Sequence, residues 1–261
     1  MDSDLELAFR LSDAADSVTI GSWSSAGVAS SLKSDGSPVT DADSAAERAV
    51  LDLVRKVRPG DGLLGEEVGE HLGTTGRRWI VDGIDGTKYF ASGSRCWGTL
   101  IALEADGEIV VGVSSSPAQG RRWWATLGGG SFTGRTDGSG AARLRVSPGQ
   151  TKWPVGTTRF AFHPGRTGPD SSRQRVLENF AGGVVSDHSW SHQNRVAAGE
   201  LDLCVWFAGD TWDHAAPSII VEEAGGRFSD LWGGKRLDTR TALYSNGSLH
   251  DDALRALESY R

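Results

Sequence analysis

Apolar residues recur through the first third of the chain at helical spacing. Leu5, Ala8, Leu11, Ala15 and Val18 fall three or four apart, which predicts a helix over residues 4–19. A second helix is expected from about Thr40–Asp43, where Ala46, Val50, Val54 and Val57 share one face and Pro59-Gly60 ends it. Short extended runs follow: GLLGEE, RRWIVD, WGTLIALEADG, EIVVGVSSSPA and RRWWATLG, punctuated by Asp106-Gly107 and Pro117. They read as strands of an antiparallel sheet. The polar, glycine-rich stretch at 134–152 is the expected subdomain boundary. Beyond it the pattern alternates. Strands are expected in VGTTRFAF, LDLCVWF and TALYSNG, and helices in SRQRVLENF, SWSHQNRVAAGE, DHAAPSIIVEEAGG and HDDALRALESY. Such alternation predicts an α/β second half.

Composition narrows the function. A chain of 261 residues fits one large domain or two packed subdomains. The net charge of −7 comes with no basic stripe beyond Arg77-Arg78 and Arg121-Arg122, which argues against a nucleic-acid surface. If the chain handles phosphate, a metal ion or helix N-termini must supply the positive charge. No apolar run approaches the roughly 18 residues needed to span a membrane. The start, MDSDLELAFRLSDAADSV, is acidic and amphipathic rather than basic then apolar, so no signal peptide is expected. Two cysteines, Cys96 and Cys204, suggest free thiols in a reducing, cytoplasmic setting.

The acidic residues carry the chemistry. In WIVDGIDGTKYF, Asp82 and Asp85 follow an apolar run and precede Gly86-Thr87. Alone, this is a turn signal. Glu66-Glu67 follow LLG, Asp213 opens a helix after Trp212, and Asp41 and Asp43 sit at the start of the second helix. An aspartate there is ordinarily an N-cap. Convergence of Glu67, Asp82, Asp85 and Asp213 would cost roughly 4 kcal/mol per like-charge pair at about 4 Å and an effective dielectric of about 20. Protons or a cation would then have to enter. Oxygen ligands suit Mg²⁺, Mn²⁺ or Ca²⁺. The six scattered histidines lend zinc little support, and His188 and His192 read as pocket or surface residues. Backbone N–H groups of Gly86 and Thr87, opening TKYF, would suit phosphate oxygens. Carboxylates beside such a cradle suit phosphoryl transfer.

GEE at 65–67, WIVDGIDGT at 79–87 and WDHAAPSIIVEEAGG at 212–226 resemble the three signature motifs of the inositol monophosphatase family. PVTDADSAAE and SNGSLHDD match it too, so the likeness covers nearly the whole chain. Within the family, LLGEE, GRRWIVDGIDGTK, LIALEADG and RRWWATLGGGSF are most similar to bacterial histidinol-phosphate phosphatases. The resemblance implies an α/β (α+β) layered α-β-α-β-α sandwich and a homodimer. It also implies a phosphomonoesterase using two or three Mg²⁺ ions, with Mn²⁺ as a substitute, on a small phosphorylated alcohol. Residues 1–146 would hold most metal ligands, and residues 147–261 Asp213 and the substrate pocket.

Carried over by motif, Glu67, Asp82, the Ile84 carbonyl, Asp85 and Asp213 would bind metal. Gly86 and Thr87 would hold phosphate, Thr87 with Asp43 would polarise the attacking water, and Glu66 would support the ligands. Lys33, in LKSDGSPVT, would close over the site.

Two departures stand out. DGIDGT puts Gly83 where the family has proline, which is expected to loosen the loop and weaken metal affinity. Trp206 replaces a glutamate that faces the substrate in relatives, and VSDHSWSHQNR lacks the usual small residues. An indole can stack on a ring or cation, or simply pack in its strand. Asp187, His188 and Asp210 could supply the missing acid. Rival readings fare worse. A haloacid-dehalogenase-type phosphatase needs DxDGT, and a calcium module lacks EF-hand spacing. A family member that only binds metal or phosphate remains the non-enzyme alternative. An inositol, aminocyclitol, sugar or nucleotide phosphatase is the alternative within enzymes.

Overall fold

The structure is a computed structural model that describes residues 3–148, 160–163, 184–185 and 190–258. The expected helix at 172–180 and the residues Asp187 and His188 lie outside them.

Helix α1 spans Asp4–Ser22 and α2 spans Asp41–Val57. Ser3 caps α1, its hydroxyl accepting from the Glu6 N–H while Glu6 accepts from the Ser3 N–H. The two helices bury Leu7, Leu11, Ala15, Ala46, Val50 and Val54 on one face of an eight-stranded sheet. Its strands are β3 (Gly62–Gly65), β4 (Gly69–His71), β5 (Arg77–Asp85), β6 (Gly98–Ala105), β7 (Glu108–Ser116), β8 (Arg121–Thr126), β9 (Gly130–Arg135) and β10 (Ala142–Arg143). Their order is β10-β9-β8-β7-β6-β5-β3-β4. A small hairpin, β1 (Ser31–Leu32) with β2 (Pro38–Val39), precedes α2.

The sheet is not wholly antiparallel, as the strand pattern suggested. β3 runs parallel to β5, with Gly65 paired to Val81. Both strands therefore end at the same edge, and the next residues, Glu66 and Asp82, emerge side by side. The apolar run in GLLG reads the same in either direction, so only the long-range pairing reveals this. Part of the expected 134–152 boundary is also ordered into the sheet, through the end of β9 and β10.

The second sheet has five strands: β11 (Phe160–His163), β12 (Val184–Val185), β13 (Leu203–Trp206), β14 (Arg227–Ser229) and β15 (Ala242–Ser245). β11, β12 and β13 are parallel, whereas β15 and β14 join antiparallel. Helices α4 (His192–Ala197) and α5 (Thr211–Glu223) lie between the sheets, their Val196, Ala197, Ala215, Ala216, Ile219 and Ile220 packed with Ile80, Leu100, Cys204 and Tyr244. Alternation along β13 sends Cys204 and Trp206 into this layer and Leu203 and Val205 outward. There they meet Leu249, Ala253 and Leu254 of α6 (His250–Ala256) and its approach. The result is the layered α-β-α-β-α sandwich.

Candidate active site

Asp82 and Asp85 are three residues apart, which on a regular strand would put them on opposite faces. A bulge prevents that. Asp82 pairs with Leu100 and Asp85 with Gly98, so three steps on β5 match two on β6. Both carboxylates therefore leave the same face, toward the inter-sheet layer. Gly86 follows at φ +90°, a conformation that disfavours any side chain, and caps the short helix α3 (Thr87–Ala91).

Asp213 arrives from the other half of the chain. It is not the N-cap of α5; Asp210 is, and Asp213 stands three residues on, its Oδ2 accepting from the Asp210 N–H at 2.5 Å. One oxygen each of Asp82, Asp85 and Asp213 lies within 4.8 Å of the others. Asp82 is 2 % exposed, and the Asp85 Oδ2 is buried with no hydrogen-bond partner. Burial first, then the charges of Glu66, Asp85 and Asp213, holds Asp82 well above the usual carboxylate range. Burial first, then Asp213 and Glu66, does the same for Asp85. At an effective dielectric near 20, each ionised pair at that separation repels by about 3–4 kcal/mol. The donor set fits a hard divalent cation: it is all oxygen, anionic, and includes a buried carboxylate oxygen with no hydrogen-bond partner.

A hydroxyl–carboxylate pair stands beside the cluster. The Thr87 hydroxyl donates to Asp43 Oδ1 at 2.9 Å, with the Ile84 carbonyl at 3.1 Å as its alternative acceptor. Asp43 Oδ2 accepts from the Thr40 N–H at 2.8 Å and the Thr40 hydroxyl at 2.6 Å. Burial raises the Asp43 pKa against these hydrogen bonds. The Gly86 N–H is directed at the Asp85 carboxylate.

Glu66 and Glu67 form the tip of the β3–β4 hairpin and lie outside the aspartate trio. Lys33, on the loop between β1 and β2, bridges them, 2.8 Å from Glu66 Oε1 and in contact with Glu67 Oε1. Burial alone would lower the Lys33 pKa; the two carboxylates outweigh it and keep the ammonium charged. Burial raises Glu66 despite Lys33.

The substrate-side candidates are more scattered. Trp206 is 5 % exposed and packs edge-on against His214, ring centroids 5.5 Å apart. That geometry supports the packing alternative. Asp210 caps α5, with Arg240 3.7 Å from its Oδ1. Trp190, which the sequence did not single out by itself, lies over Gly98, the β6 partner of Asp85.

Sequence reasoning also missed Glu47. It is 1 % exposed, one helical turn after Asp43 on the same face of α2, and that spacing was the available signal. Its Oε1 accepts from the N–H groups of Glu66 (3.1 Å) and Gly83 (3.3 Å), its Oε2 from those of Glu67 (2.8 Å) and Val68 (2.9 Å). Burial lifts it to about 7 in spite of these bonds. Gly83 is thus held at its N–H, and the Thr99 hydroxyl donates to its carbonyl at 3.0 Å.

Known proteins carry the same arrangement of chain. The inositol monophosphatase family profile matches residues 1–261. A Streptomyces griseus protein named glucose-1-phosphate thymidylyltransferase is 40 % identical, covering 96 % of this chain and 94 % of its own. A Mycobacterium tuberculosis histidinol-phosphatase is 39 % identical, covering 98 % of each chain. Among solved structures, the extragenic suppressor protein suhB from Bartonella henselae superposes with a TM-score of 0.85 at 27 % identity, over 97 % of this chain and 98 % of that one. The chain belongs to the inositol monophosphatase family.

Proposed function

We propose that this protein is a divalent-metal-dependent phosphomonoesterase that releases inorganic phosphate from a small phosphorylated alcohol, with histidinol phosphate the first substrate to test. The observation that carries the reading is the buried trio of Asp82, Asp85 and Asp213 within 4.8 Å, next to the Thr87–Asp43 pair. Asp82, Asp85 and Asp213, with Glu67 and the Ile84 carbonyl, would hold two or three Mg²⁺ ions, Mn²⁺ serving as a substitute. The bound cation supplies Lewis-acid stabilisation of charge on the phosphoryl oxygens.

The remaining chemistry belongs to the chain. With its proton committed to Asp43, the Thr87 oxygen presents lone pairs that accept a hydrogen bond from the attacking water and aim it in line. Asp43, anchored twice by Thr40, keeps that orientation and accepts the Thr87 hydroxyl proton as the Thr87 oxygen takes one from the water, leaving hydroxide to attack phosphorus. Thr87 and Gly86 N–H groups would meet the phosphate. The products are the alcohol and inorganic phosphate. Lys33 on its hairpin would close over Glu66 and Glu67, and Asp210, Asp187 and His188 would border the leaving group.

The substrate choice leans on relatives: the Mycobacterium tuberculosis protein is named a histidinol-phosphatase, and a Caulobacter vibrioides relative at 33 % identity an inositol-1-monophosphatase. Both expectations of a homodimer and a cytoplasmic setting rest on the family and on the two free thiols; no helix among the described residues is long and apolar enough to cross a membrane. The test is phosphate release over a panel: histidinol phosphate, inositol 1-phosphate, an aminocyclitol phosphate, a nucleotide, and dTTP with glucose 1-phosphate. The last pair covers the nucleotidyl transfer for which the Streptomyces griseus relative is named. Selective Mg²⁺-dependent release from histidinol phosphate supports the reading. Sugar-nucleotide formation, or no phosphate from any member, would overturn it.

A further inference from the structure

Glu47 is placed to do more than stabilise α2. Its four acceptor bonds run to two separate segments: Glu66, Glu67 and Val68 at the hairpin tip, and Gly83 between Asp82 and Ile84. Those two segments carry Glu67, Asp82 and Asp85. Each segment also has a glycine at its closest approach. A Cβ at Gly65 would come within 2.5 Å of Glu47 Oε2, and one at Gly83 within 3.1 Å of Glu47 Cγ and 2.9 Å of the Asp43 carbonyl. A side chain on either flank would force Glu47 or the Asp43 backbone to shift.

We propose that Glu47 is a positioning residue for the metal site, and that Gly83 is how this chain ties the second ligand segment to it. A proline at 83 has no N–H to give and would drive its Cβ into the Asp43 carbonyl. Glycine here therefore adds a fourth bond to Glu47 rather than freeing the loop. One rigid carboxylate sets the distance between the hairpin bearing Glu67 and the bulge bearing Asp82 and Asp85. The arrangement matters most before a cation is present, when the acidic ligands repel one another. Groups that orient metal ligands in this way typically change metal affinity by about 10–100-fold when removed.

The inference rests on the metal-dependent reading above, and its test separates the two. Mn²⁺ affinity is measured by electron paramagnetic resonance on metal-stripped protein, alongside circular dichroism and the Mg²⁺ dependence of phosphate release. Glu47→Gln keeps the shape but turns one oxygen into an amide that faces two N–H donors. Gly83→Ala keeps the N–H and adds the Cβ; Gly83→Pro also removes the N–H. Glu70→Gln, on the exposed side of the hairpin, is the control. Expected are a Mn²⁺ dissociation constant raised about tenfold or more in Glu47→Gln, a larger rise in Gly83→Pro than in Gly83→Ala, and a kcat that recovers to within about threefold of wild type at saturating Mg²⁺. Wild-type Mn²⁺ affinity in folded Glu47→Gln would overturn the inference. If Glu47→Gln fails to fold, equal and unchanged affinities in the two Gly83 variants would overturn it instead. A wild-type protein that binds no Mn²⁺ would overturn the metal reading itself.

Discussion

Replacing Asp85 by Asn should make the metal-free protein more stable while abolishing its response to metal. The three aspartate oxygens lie within 4.8 Å, and Asp85 contributes two of the three like-charge pairs. At about 3–4 kcal/mol per fully ionised pair, removing it would relieve about 6–8 kcal/mol if all three were ionised. Proton uptake by the raised carboxyls already relieves much of that, so about 1–3 kcal/mol is the expected gain. The amide fits: its oxygen can still accept from the Gly86 N–H, and its NH₂ replaces the buried, unpartnered Oδ2 and can donate to a neighbouring carboxylate. For a chain of this size, each kcal/mol moves the melting temperature by about 2–4 °C. Thermal melts in EDTA should thus show the variant several degrees above wild type. In millimolar Mg²⁺ the order should reverse or close, because wild type gains the linkage energy of binding and the variant does not. A variant that melts at or below wild type in EDTA would refute the repulsion argument.

Thr87→Val should leave Mn²⁺ binding intact and lower kcat by about 10²–10⁴, with Thr87→Ser restoring most of it; steady-state kinetics at saturating Mg²⁺ decides, and a loss under threefold would remove Thr87 from the chemistry. His250 is fully buried between the hydroxyls of Ser229 and Ser245, each 2.8 Å from a ring nitrogen, and burial lowers it from 6.5 to about 4. Because the folded protein resists protonating it, stability falls as pH drops from about 6.5 to about 4, by up to about 3 kcal/mol, and this part of the decline should vanish in His250→Gln urea melts. Trp206→Glu should cost more than about 3 kcal/mol in the same assay, since it buries a carboxylate where an indole packs on His214; a cost under about 1 kcal/mol would make Trp206 a pocket wall instead.

The chemistry of the site was more legible than its geometry. GEE, DGIDGT and WD showed where the acidic residues stand, and a hard cation takes clustered oxygen donors. How Asp82 and Asp85 come to share a face was hidden, because a bulge depends on the register with β6, and register is a property of two distant segments. The parallel β3–β5 pair escaped for the same reason. β9, in GSFTGR, has too few apolar residues for an alternation to be read. Glu47 looked like one more charge on a helix. Its contacts form only when the hairpin tip and Gly83 fold against it. Trp206 was ambiguous by nature, since an indole at a strand end can face a pocket or the core, and the strand parity that settles its direction is set by the second sheet.

The measurement closest to the central claim is anomalous diffraction from crystals grown with Mn²⁺. The account predicts a peak held by oxygens of Asp82, Asp85 and Asp213. No peak among these three carboxylates at saturating Mn²⁺ would contradict it.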